Sequence, residues 1–146
     1  MKPVKTVMDP IVFNEAEVAA ARADPIGLAG CVRVDFQDHS MLYFSGIAAT
    51  DDRMEVVGPG DMRRQTEYVL ERIQQELHKQ GGTMKDIVRT RTYVVGLSPE
   101  RFNTMNQAKA KYFRDGNYTT GTLVEVSNLA IPGLLIEIEV DAILIA

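Results

Sequence analysis

Residues 133–146 read Gly-Leu-Leu-Ile-Glu-Ile-Glu-Val-Asp-Ala-Ile-Leu-Ile-Ala, directly behind Pro132. Side chains of an extended chain alternate sides, so a period of two marks a strand with one apolar face. Here Leu134, Ile136, Ile138, Val140 and Ala142 share one side, and Leu135, Glu137, Glu139, Asp141 and Ile143 share the other. Three carboxylates therefore line one face of an otherwise apolar ribbon. The stretch predicts a strand with a core beneath it and acids above it.

Working upstream, the segment Thr119 to Val126 predicts another strand, and Ser98-Pro99 begins a helix with Ser98 as N-cap and Pro99 in the first turn. Phe102, Met105, Tyr112 and Phe113 are expected on its buried side. From Asp86 to Val95 the chain is β-rich. Alternation places Arg89, Arg91 and Tyr93 on one face and Val88, Thr90, Thr92 and Val94 on the other. Asp61 to Gln80 carries Met62, Thr66, Val69, Leu70, Ile73 and Leu77 at helical spacing, with Asp61 as N-cap and Gly81-Gly82 as the stop. Earlier still, Cys31 to Phe36 and Met41 to Ser45 form a hairpin about a turn at Asp38-His39-Ser40. A short helix from Asn14 to Ala23 opens on a capping box, and Lys2 to Pro10 is extended or loose. The order β-β-α-β-α-β-β, with each helix leading from one strand to the next, predicts an α+β sandwich. Its mixed sheet has two helices on one face and the other face open. An open face carrying uncharged and apolar residues calls for an oligomer.

The 146 residues suit a single domain. The single cysteine, Cys31, excludes an internal disulfide. Net charge is -4 and no basic patch is visible, so nucleic acid is not expected as a partner. No signal-like apolar run follows Met1 to Met8, and no stretch approaches a membrane span; the expected location is the cytoplasm, with no membrane partner. His39 and His78 lack a second His or Cys at ligand spacing, and no phosphate-cradling glycine loop is present. Neither a metal nor an organic cofactor is expected.

Two polar clusters remain: the acids Glu137, Glu139 and Asp141, and the Arg89, Arg91, Tyr93 face. If both strands turn their apolar faces to the helices, these clusters share the open side. They form either cross-strand ion pairs or a polar cleft for a small anion and a water molecule.

The same residues resemble the Rid family, the YjgF-type reactive-intermediate deaminases. The matching pieces are Tyr43-Phe44-Ser45-Gly46, Gln65-Thr66 with Leu70 and Ile73, Gly81 through Val88, and Thr92-Tyr93-Val94. They continue with Phe102, Met105-Asn106, Tyr112-Phe113, Val124-Glu125-Val126 and Ile136-Glu137-Ile138-Glu139. Residues 31–146 would form the core of this one domain, and residues 1–30 a divergent extension. The resemblance implies a fold like the bacillus-type chorismate mutase and a homotrimer whose sheets close a central barrel, with clefts between subunits. It also implies hydrolysis of reactive imines or enamines without a cofactor. In that family an Arg grips the substrate carboxylate, and a Glu on the last strand handles water.

Carried over by position, Glu137 matches the water-handling Glu, Ser45 the cleft Ser with Gly46 beside it, and Asn106 a polar residue of the second helix. The gripping Arg is replaced. The Pro-Ala-Arg-Thr/Ser pattern becomes Thr119-Thr120-Gly121-Thr122, with Gly121 in the Arg position. Losing that contact removes roughly 1.5–3 kcal/mol of charge-assisted binding. The substrate expected is then not the usual small 2-imino acid. Arg91, beside Tyr93, is a candidate replacement cation, with neutralisation of the strand acids as its alternative role. The expected function is hydrolytic deamination of an imine, enamine or related unsaturated amine. Glu137 would be catalytic, with Ser45, Gly46, Arg91, Tyr93, Asn106, Thr120, Gly121 and Thr122 shaping the pocket. The alternative is a non-catalytic trimer that binds a small metabolite as a sensor, a sequestering protein or a partner stabiliser. Ribonuclease activity is the weakest reading for a chain of this charge.

Overall fold

The computed structural model describes residues 2–8 and 27–146. These described residues form one mixed sheet and two α-helices, with a short 3-10 turn at Met84–Asp86. The strands are β1 (Val4–Met8), β2 (Cys31–Asp35), β3 (His39–Phe44), β4 (Ile47–Ala48), β5 (Ile87–Val95), β6 (Thr120–Val126) and β7 (Ile136–Ile145). The helices are α1 (Met62–Lys79) and α2 (Pro99–Lys109). The sheet runs β1-β2-β3-β7-β5-β6, and β4 prolongs the β3 edge by pairing with the other end of β7. The chain's last strand is therefore central. It is flanked on both sides by antiparallel partners, while β5 and β6 run parallel with α2 as their crossover.

The helix α1 forms as its sequence predicts. The Asp61 carboxylate accepts the Arg64 N–H at 2.9 Å, satisfying an otherwise orphaned donor. Its buried face is Met62, Gln65, Thr66, Val69, Leu70, Ile73 and Leu77. Gly81 follows in a left-handed conformation (φ +83°), which ends the helix without the steric penalty a side chain would bring. These residues pack with Leu42, Ile136, Ile138, Val140 and Met105 in one continuous core on one side of the sheet. Each fully buried aliphatic side chain there contributes on the order of 1.5–3 kcal/mol.

Three local expectations are corrected. The hairpin turns one step earlier than Asp38-His39-Ser40, since Ser40 already pairs with Asp35 inside β3. Of the segment Lys2 to Pro10, expected to be extended or loose, the described part is extended: β1 pairs with β2 at the sheet edge. A bulge between Ile87 and Arg89 shifts the register of β5, so Ile87 is buried (2% exposed) and Val88 is turned outward at 42%. On α2, Met105 and Ala108 are buried while Phe102 is 44% exposed, and Tyr112 and Phe113 pack on the core from beyond the helix end. The helix expected from Asn14 to Ala23 lies outside the described residues. Among the described residues no helix is long and apolar enough to cross a membrane.

Candidate functional site

Directly paired residues in a sheet point to the same side, so the register fixes what surrounds the three acids. Across the open face, Tyr43, Asp141, Arg89 and Thr120 form one row. Glu139, Arg91 and Thr122 form the next, and Ala48, Glu137, Tyr93 and Val124 the third. The two polar clusters read from sequence are thus interleaved on one surface.

The acids separate by their partners. Arg91 spends three nitrogens on two of them: Nε donates to Glu139 Oε1 at 2.6 Å, and the two terminal nitrogens donate to Asp141 in a bidentate pair at 3.0 Å each. Tyr93 adds a hydroxyl donated to the same Glu139 oxygen at 3.0 Å. These bonds raise the pKa of Arg91 well above its usual value, Asp141 contributing first and Glu139 second. The bond to Glu139, followed by partial burial, raises that of Tyr93. Glu137 stands apart. Among the described residues its carboxylate has no hydrogen-bond or ion-pair partner. It is half-buried, and desolvation, then the charge of Glu139, pushes its pKa up.

Gly46 positions this carboxylate. A Cβ built on Gly46 would collide with Glu137 Oε1 and come within 2.9 Å of Cδ, so the glycine supplies the space the carboxylate occupies. Ser45, beside it, is tied to the preceding loop: its Oγ donates to Ala29 O at 2.5 Å and its N–H to Gly30 O at 3.0 Å. Gln65 anchors the approach to β7 from the helical side. Although fully buried, it donates to Gly58 O and Gly133 O and accepts the Leu135 N–H at 2.8 Å. In the sequence Gln65 stands out only as part of the Gln65-Thr66 pair. Its signal was an amide on an otherwise apolar helix face.

Other predicted residues fall elsewhere. Asn106 is on the exposed side of α2, in the helical layer, and is not brought to Glu137. Gly121 faces the opposite side of the sheet from the acids, where a Cβ would stand 2.9 Å from the Thr90 hydroxyl. Thr120 and Thr122 are on the open face, Thr120 donating to Val88 O at 3.0 Å. Arg91, weighed as a free cation for a ligand, has its donors occupied by Glu139 and Asp141. By contrast Arg89 is exposed and has no ion-pair partner among the described residues. A cavity of about 570 Å³ opens on the helical layer between His78, Lys85, Tyr112 and Arg114, and none of the predicted site residues lines it. Among the described residues no three His, Cys, Asp or Glu side chains are grouped to hold a metal ion.

The arrangement offers one unpaired, half-desolvated carboxylate beside an ion-pair network of one guanidinium and two carboxylates. Such a group can accept a proton from water and return it.

Comparison with known proteins places the chain among relatives of one family. The profile of the endoribonuclease L-PSP family matches residues 32–144. The 3-aminoacrylate deaminase RutC of Acinetobacter baylyi is 33% identical over 97 residues, covering 66% of this chain and 75% of that protein. Among solved structures, a Rid-family protein of unknown function from Yersinia pestis superposes with a TM-score of 0.72 at 27% identity, covering 95% of this chain and 98% of that one. A YjgF/YER057c/UK114 family member from Mycobacterium tuberculosis gives 0.68 at 28% identity, with the same coverage of both chains.

Proposed function

Because this chain belongs to the endoribonuclease L-PSP family, which also embraces a 3-aminoacrylate deaminase, we propose that it hydrolyses a reactive imine or enamine, with Glu137 as its general base. The observation carrying this reading is the isolation of Glu137. Of the three acids on β7, it alone lacks a hydrogen-bond or ion-pair partner among the described residues, and its pKa is raised.

The chemistry needs little more. The enamine form first takes a proton at its β-carbon and gives up an N–H proton, which makes it the isomeric imine. Glu137 removes a proton from water as the oxygen adds to the imine carbon, the C=N π pair moves onto nitrogen, and Glu137 returns its proton there; a second transfer, from the hydroxyl through Glu137 to nitrogen, makes the leaving ammonia. The resulting carbinolamine expels ammonia as its hydroxyl becomes the carbonyl, so one imine and one water give one carbonyl compound and one ammonia. General base assistance of this kind supplies about 10²–10⁴-fold. Gly46 gives Glu137 its room, Ser45 and Tyr93 stand beside it, and Thr120 and Thr122 extend the polar surface. The substrate differs from a small 2-imino acid, because Gly121 occupies the position of the gripping Arg and Arg91 is already committed. Two further copies cover the open face in a homotrimer, a reading supported by the 41% exposure of both Tyr43 and Val124 there.

The test is ammonia release from freshly generated enamines, 3-aminoacrylate among them. Release that falls at least about 10²-fold in Glu137→Gln supports the assignment; equal release by both proteins overturns it. The engagement of Arg91 also favours a second reading, a trimer that binds a small metabolite without turning it over. That reading takes over if no substrate in the panel releases ammonia while a ligand still raises the melting temperature.

A further inference from the structure

We propose that Arg91 is a positioning residue: by clamping Glu139 and Asp141 with three of its nitrogens it occupies these two acids and offsets part of their charge, which leaves Glu137 as the unengaged, proton-accepting carboxylate of β7. The inference rests on Glu137 being the base, and adds how the chain singles it out.

The geometry argues against a purely passive ion pair. Three carboxylates at alternate positions of one strand crowd like charges on one face. Two such groups near each other share protons and titrate as a pair, which blurs the pKa of either one. Arg91 sits opposite Glu139 in the register and reaches diagonally to Asp141. Its planar fork satisfies Asp141 through both oxygens, and its Nε takes the Glu139 oxygen that also receives the Tyr93 hydroxyl. Glu139 is thereby held toward β5, while Glu137 lies against Gly46 beside β4. Among the described residues, the titratable and charged groups that share this face with Glu137 on its own strand and on β5 are Glu139 and Asp141, and Tyr93, Arg91 and Arg89. β4 contributes only Ile47 and Ala48, and the paired residue of β6 is Val124. A single cation therefore offsets part of the charge of the two acids that follow the proposed base on β7.

Removing the cation without touching Glu137 tests this. The titration of Glu137 is followed by carboxyl ¹³C NMR, its signal assigned by its loss in Glu137→Gln. In Arg91→Gln the midpoint of Glu137 is expected to move upward and its curve to broaden as Glu139 joins it. The pH profile of ammonia release should move in step. Glu139→Gln, which removes the nearer negative charge and keeps the fold if Arg91→Gln does not, is expected to move the midpoint downward. Arg89→Gln removes the same charge from the same face without breaking the clamp, and should leave the midpoint nearly in place. A Glu137 curve unchanged in both Arg91→Gln and Glu139→Gln overturns the proposal, as does an equal shift in Arg89→Gln. Absence of any deaminase activity alongside the expected shifts removes the assignment of Glu137 as base and leaves the clamp standing.

Discussion

Glu137 is placed by packing rather than by hydrogen bonds, and that gives it a stability signature separate from its proposed chemistry. Its folded-state pKa is raised by burial and by Glu139. The folded protein therefore holds the proton more tightly than the unfolded chain, whose Glu titrates at about 4.3. Stability falls as pH rises from the unfolded value through the folded one, because ionising Glu137 is costlier in the fold. Replacing it with Gln should raise the melting temperature near pH 7, and the gain should vanish near pH 3; equal gains at both would contradict the raised pKa. Gly46 carries the complementary prediction. Its Cα hydrogen faces the carboxylate, and a methyl there would stand 3.0 Å from Glu137 Cγ. Gly46→Ala should lower ammonia release by about 10²-fold through displacement of the base, with far-ultraviolet circular dichroism retained. The acid itself was legible in the period-two pattern of 133–146. Its isolation was not, because nothing in one strand's sequence says which acid a residue 48 positions away will bind.

At the scale of the elements, the link between helix and site runs through Gln65. It joins Gly58, Gly133 and Leu135, the last two being just upstream of β7. Gln65→Leu keeps the apolar bulk, leaves the buried Leu135 N–H unpaired and removes the donor to the partly buried Gly58 and Gly133 carbonyl bonds. At about 1–3 kcal/mol per unsatisfied group, urea unfolding should show a loss of at least about 2 kcal/mol. The two faces of α2 predict opposite outcomes. Met105→Ala, in the core, should cost about 2–5 kcal/mol. Phe102→Ala, at 44% exposure, should cost under about 1 kcal/mol. The caps and the buried face of α1 were legible in the sequence, whereas the outward turn of Val88 and the buried face of α2 were not. Ser98 and Asp61 act locally, through bonds to residues three positions on. The Val88 bulge and the burial of Ala108 rather than Phe102 depend on neighbours distant in sequence.

For the molecule as a whole, the two sides of the sheet divide the work: one packs the helices, the other bears the ion-pair network and a band of uncharged side chains. The proposed homotrimer predicts a trimeric mass by light scattering, and a shift toward monomer in Tyr43→Asp or Val124→Asp, whose side chains share that open surface. A monomeric wild-type protein would refute it. What the sequence by itself determined is the alternation of the closing strand, the two capped helices, the order of elements and the family resemblance. All of these rest on local periodicity and short-range hydrogen bonding, which a linear chain carries in full. Tertiary structure alone decided that the last strand is central, that Arg91 belongs to Glu139 and Asp141, and that Gly46 makes room for Glu137. Those follow from register, and register is set by the burial of the opposite face, a property of the packed sheet and not of any one strand.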